Sequence, residues 1–107
     1  MEDNSYTHLA ELFKLFGDET RLRILTCLLD GEMSVSSVAT QLEMTQSAIS
    51  HQLSTLRRSK LIRARREGKT VYYSLDDEHV GQILKCGIEH VRRCENESCS
   101  IYHHSLL

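Results

Sequence analysis

Residues 45–58, TQSAISHQLSTLRR, decide how this chain folds. Ala48, Ile49, Leu53 and Leu56 fall on one stripe at helical spacing, so the segment reads as an amphipathic helix with its apolar side toward a core. The opposite side carries Gln46, Ser47, Ser50, His51, Ser54 and Arg57. These side chains offer hydrogen bonds to phosphates and base edges with no apolar wall in the way. An ordinary solvated helix face has the same composition, so the flanking segments must decide between the two.

Upstream, Val35, Val38, Ala39 and Leu42 form an inward stripe with Ser34 as a cap; Glu43-Met44-Thr45 follows as a turn, and Thr45 suits the cap of the next helix. Two helices joined in this way read as a helix-turn-helix, whose second helix enters the major groove. Downstream the period changes. Residues 61–65 and 70–75 read as two strands around the loop Arg66-Glu67-Gly68-Lys69, giving a β-hairpin with a basic tip. Arg65, Arg66 and Lys69 are thereby expected to lie against the phosphate backbone beside the recognition helix.

The remaining elements are helical. A first helix over Tyr6–Phe16 carries Leu9, Leu12, Phe13 and Phe16, with Leu15 widening the stripe; Gly17 ends it and Asp18 caps a second helix. Leu22, Ile24, Leu25, Leu28 and Leu29 make that second helix nearly all apolar, which places it in mid-core, and Asp30-Gly31 closes it. From Asp76 a last helix places Val80, Ile83, Leu84, Gly87, Ile88 and Val91 on one stripe, long enough to pair with its counterpart in a second copy. The expected fold is mainly α with a small β-hairpin: a winged helix-turn-helix, homodimeric through its first and last helices. One domain spans 1–107, with its core in 6–94 and a flexible tail over 95–107.

Composition agrees with a single small domain: 107 residues, 40% hydrophobic and without proline. No apolar run approaches the ~20 residues of a bilayer span, and the start MEDNSYTH is acidic and polar, so a soluble, cytoplasmic protein is expected, with no membrane partner. The net charge of −2 is unevenly spread. Residues 46–73 hold 7 basic and 1 acidic side chains, against 3 and 8 in residues 1–45 and 3 and 6 in residues 74–107. A positive middle between acidic flanks is a footprint for a polyanion, here double-stranded DNA. No nucleophile, base and cavity-lining set points to an enzyme, and no small-molecule substrate is implied. Cys27, Cys86, Cys94 and Cys99 lack a disulfide-framework spacing, so thiols free for packing, metal or redox chemistry are expected.

With these pieces in order (LFKLFGDETRLRIL, SVATQLEMTQSAISHQLSTLRRSKLI, RREGKTVYYSL and the last helix), the chain resembles the ArsR/SmtB family of bacterial metal-sensing repressors over roughly residues 8–94. The resemblance implies a dimer that binds operator DNA when metal-free and releases it on binding metal. Family members that sense thiophilic metals carry a Cys-x-Cys-like pair at the start of the third helix; here Glu32-Met33-Ser34-Val35-Ser36-Ser37 contains no thiol. The other family site lies on the last helix, and Asp77, His79 and His90 are in register with it.

His79 and His90 share a helix face but stand ~16 Å apart along one helix, too far for one ion whose bonds are ~2 Å. Antiparallel helices of two chains would bring Asp77 and His79 of one to the partner's His90, forming two equivalent sites. Each histidine alone is an ordinary surface residue; their joint spacing with Asp77 singles them out. Two imidazoles and a carboxylate suit Zn(II), with Ni(II) or Co(II) favoured if further ligands raise the coordination number. At the family's fourth position stands Arg93, which cannot ligate; Cys94, Glu97, Cys99, His103, His104 and water remain open. Cysteine pairs keep a thiol-based redox or persulfide response as an alternative.

Overall fold

The structure is a computed structural model, and residues 1–96 are described. They fall into two compact units that meet in sequence at Asp77-Glu78, each taken by itself below.

The first unit begins with α1 (Asp3–Phe16) and α2 (Glu19–Cys27), followed by a 3₁₀ turn over Leu28–Asp30. The Asp18 carboxylate accepts the Arg21 backbone N–H at 3.0 Å and so starts α2, as its sequence position predicts. Gly31 then takes φ 142°, a backbone that side chains disfavour, and turns the chain into β1 (Met33–Ser34). Ser34 also caps α3 (Val35–Leu42): its hydroxyl accepts the Ser37 N–H at 3.2 Å.

α3 ends in a Schellman turn. Glu43 sits in the left-handed region (φ 56°, ψ 44°), its N–H reaches the Thr40 carbonyl at 3.3 Å, and the Met44 N–H reaches Ala39 at 3.0 Å. Thr45 then caps α4 (Gln46–Arg58) through Oγ1, which accepts the Ala48 N–H at 3.1 Å. α4 closes in the same way: Lys60 has φ 62°, and the Lys60 and Leu61 N–H groups reach Arg57 and Leu56 at 3.0 Å each.

β2 (Ile62–Glu67) and β3 (Thr70–Leu75) follow, and the sheet order is β1-β3-β2, all antiparallel. The wing differs here from its sequence reading. Arg66 and Glu67 are paired strand residues, opposite Val71 and Thr70, so the loop shrinks to Gly68-Lys69. Gly68 takes φ 61° while Lys69 stays at negative φ, the pattern of a type II′ hairpin turn, whose twist matches the strands. The strand Met33–Ser34, of which the sequence reading marked only Ser34, as a helix cap, pairs with Tyr73 and Tyr72.

The core of this unit draws on α2, α3, α4 and β2, with Ile24, Leu25, Val38, Ile49, Leu53, Leu56 and Ile62 wholly enclosed. At roughly 1.5–3 kcal/mol per fully buried aliphatic side chain, these residues are the main source of its stability. Leu22, expected in mid-core, is exposed instead. The second helix stops at Cys27 and tightens into the 3₁₀ turn, which keeps Leu28 buried.

The second unit is one helix, α5 (Glu78–Asn96), in which Val80, Gly81 and Leu84 are buried. Ile83, Ile88 and Val91 of the expected stripe are half-buried, and Gly87 is exposed. Glu95 and Asn96, assigned from sequence to the flexible tail, are helical, and the remainder of that tail lies outside the described residues.

Candidate nucleic-acid interface and metal centre

α4 presents its two sides as its sequence dictates. Ile49, Leu53 and Leu56, at 0% exposure, lock its apolar side into the core. All six polar candidates on the other side, Gln46, Ser47, Ser50, His51, Ser54 and Arg57, are exposed. Arg57 and Arg58 occupy the last turn, where cations favour the negative end of the helix dipole.

In the wing, strand alternation puts Arg63 and Arg65 on one face and Arg66 on the other, with Lys69 at the tip; all four are exposed. Arg65 differs from the rest. Its Nε donates to Glu32 Oε2 at 3.1 Å, its Nη2 to Glu32 Oε1, and its Nη1 to Glu67 Oε2 at 2.9 Å. The guanidinium also lies over the Tyr72 ring, 5.1 Å from its centroid. Hydrogen bonding to Arg65 holds the Glu32 carboxyl below the usual carboxylate range, and Glu32 and then Glu67 push the Arg65 value up. Glu32 is the residue that sequence reasoning missed. Only the three-stranded sheet brings position 32 to position 65.

In the segment Glu32–Ser37, Met33 and Ser34 form β1, Ser34 caps α3 and Val35–Ser37 are its first turn, and the Ser34 hydroxyl is engaged with Ser37 and Ser36. On the last helix, His79 lies in the first turn and His90 further along, both exposed, with Asp77 exposed just ahead of the helix. Cys94, half-buried, brings Sγ to 3.6 Å from His90 Nε2. Among the described residues of one chain, no three His, Cys, Asp or Glu side chains gather closely enough to hold one ion. Glu97, Cys99, His103 and His104 lie outside the described residues. Of the other thiols, Cys86 is exposed, and burial pushes the Cys27 thiol up.

Comparison with known proteins places this arrangement. A model of the bacterial regulatory protein arsR family matches residues 18–64. A cadmium resistance transcriptional regulatory protein, CadC homolog, of Staphylococcus aureus is 42% identical over 85 residues, covering 78% of this chain and 70% of that protein. The chain belongs to the ArsR family.

A transcriptional repressor, SmtB homolog, of Synechocystis sp. is 37% identical over 87 residues, 81% of this ArsR-family chain and 66% of that protein. The chain spans 66% of that relative's length and 65% of the length of a second one, a transcriptional regulator of Mycobacterium tuberculosis, also at 37% identity. Among solved structures, a homodimeric winged helix-turn-helix DNA-binding domain from Mycobacterium bovis superposes with a TM-score of 0.76 at 29% identity, covering 88% of this chain and 89% of that one. The matched family segment runs from the cap of α2 into β2, and so contains the helix-turn-helix but neither α5 nor its His and Cys residues. ArsR-family proteins are regulators, not enzymes. No helix among the described residues is long and apolar enough to cross a membrane.

Proposed function

We propose that the protein is a metal-responsive transcriptional repressor that binds operator DNA as a homodimer and releases it when Zn(II) occupies sites shared between two copies of α5. In this reading Gln46, Ser47, Ser50, His51, Ser54 and Arg57 face the major groove, and the wing lies on the phosphate backbone through Arg66 and Lys69. Asp77 and His79 of one protomer meet the partner's His90 and the partner's Cys94. The names of relatives support the class, since one is a transcriptional repressor and another a cadmium resistance regulator.

One distance carries the metal reading. Bonds of ~2.0–2.1 Å to nitrogen and ~2.3 Å to sulfur, at a tetrahedral angle, put the two donor atoms ~3.6 Å apart. The His90 Nε2 to Cys94 Sγ separation is 3.6 Å. Two ligand positions of a tetrahedral site are thus already spaced on one helical turn, and Cys94 serves where Arg93 cannot. Bound metal supplies the cross-link between protomers. The side chains fix its geometry and hence the spacing of the two α4 helices, which must stand about one DNA turn, ~34 Å, apart.

The test is a titration of a duplex selected from random sequence by the wild-type protein, repeated with Zn(II), Ni(II), Cd(II) and an oxidised-thiol treatment. Release by Zn(II) at the lowest free concentration supports the proposal. Release by oxidant alone, or affinity unmoved by any metal, rejects it. By linkage DNA must weaken metal binding by the same factor, with couplings typically ~1–3 kcal/mol.

A further inference from the structure

We propose that Arg65 is a positioning residue, a strap that fixes the wing to the start of the helix-turn-helix, and that the phosphate contacts belong to Arg66 and Lys69. The inference rests on the wing touching DNA, as read above. Three nitrogens of the guanidinium are engaged by two carboxylates, and one face is covered by Tyr72. One cation between Glu32 and Glu67 leaves the cluster with a net negative charge, which repels phosphate. Arg66 and Lys69 engage no carboxylate among the described residues and keep their charge for a polyanion.

The topology gives the strap its task. β1 and β2 are not neighbours; β3 lies between them, so the span is two strand spacings, about 10 Å. Ser34, Tyr72 and Arg65 form one row across the sheet, and the Arg65 side chain crosses over Tyr72 to reach Glu32 beside β1. β1 has only two residues to pair with β3, and α3 begins immediately after it. Backbone pairing alone therefore holds the wing weakly to the α3 end of the reading head. A two-point Arg–carboxylate fork adds an orientation constraint that a single ammonium cannot supply.

Salt dependence separates a strap from a phosphate contact. Titrations of the selected duplex at several salt concentrations compare the full-length wild type with Glu32→Gln, Arg65→Gln, Arg65→Lys and Arg66→Gln. A strap predicts that Glu32→Gln, Arg65→Gln and Arg65→Lys each weaken binding about two- to fivefold at an unchanged salt slope. Arg66→Gln instead lowers the slope by ~0.9. The proposal is overturned if Arg65→Gln lowers the slope as Arg66→Gln does while Arg65→Lys preserves it, or if Glu32→Gln leaves affinity unchanged or tightens it. Amide hydrogen exchange of the DNA-free protein reads the strap independently: Met33 and Tyr73, the pair whose backbone groups face each other between β1 and β3, exchange faster in Glu32→Gln. If the wild type bound no duplex, the proposed function would fall while this exchange still decided the strap; unchanged exchange rejects it.

Discussion

On α5, Cys94 Sγ stands 3.6 Å from His90 Nε2, one helical turn away, at the separation of two donors on one tetrahedral ion. If Cys94 is a ligand, Co(II) substituted for Zn(II) gives a thiolate charge-transfer band that Cys94→Ser abolishes and Cys86→Ser leaves intact. Replacing His90 or Cys94 by Ala lowers Zn(II) affinity more than about 100-fold, beyond what loss of an outer-shell partner costs. Binding also weakens as pH falls, because both ligands must shed protons. An unchanged spectrum in Cys94→Ser moves the fourth position elsewhere.

The two reading-head helices both end on left-handed residues that are not glycine, Glu43 and Lys60. Such a conformation costs an L residue about 1–2 kcal/mol, while glycine gives back about 0.4–1 kcal/mol through the freedom of the unfolded chain. Glu43→Gly and Lys60→Gly should each stabilise the fold by roughly 0.5–1 kcal/mol, a gain in urea midpoint at constant m. The same exchange at Ser50, inside α4, should destabilise.

These positions show where sequence is informative. α4 is legible from its pattern because Ile49, Leu53 and Leu56 are wholly buried while Ser50, His51 and Ser54 between them are exposed, and caps at Asp18, Ser34 and Thr45 announce helix starts by side-chain chemistry. β1 is not legible: two residues establish no period, and its partners lie at Tyr72 and Tyr73. Arg66 and Glu67 read as loop because both are exposed, so no inside–outside alternation marks the strand's end. The same non-local pairing hides Glu32, which acquires its task only when the sheet brings it to Arg65. On α5 the spacing of Asp77, His79 and His90 is visible in the sequence, whereas the donor distance at Cys94 needs coordinates.

The Glu32–Arg65 pair makes a pH prediction with a definite sign. Hydrogen bonding to Arg65 lowers the folded-state value of Glu32, so around the ordinary carboxylate range the folded state holds fewer protons than the unfolded one. The contribution is complete above that range and is lost as pH falls through the lowered value. Urea midpoints measured from neutral pH downward should therefore drop more steeply for wild type than for Glu32→Gln. Parallel curves would show that the pair adds nothing to folding.

The last prediction concerns the outer side of α1. Tyr6, Leu9 and Phe13 recur there at helical spacing and are 59%, 40% and 54% exposed, although Phe16 on the same helix is buried. If this face joins two copies, Phe13→Asp yields a folded monomer, seen as unchanged helical circular dichroism with half the mass in sedimentation. A monomer carries one reading head, and losing the linked second half-site lowers affinity for the selected duplex about 10²–10⁴-fold. It should also lose tight Zn(II) binding, although Phe13 is remote in sequence from His79 and His90, because each proposed site draws ligands from both chains. A Phe13→Asp dimer would remove α1 from the interface, and a monomer that still bound Zn(II) tightly would place the metal within one chain.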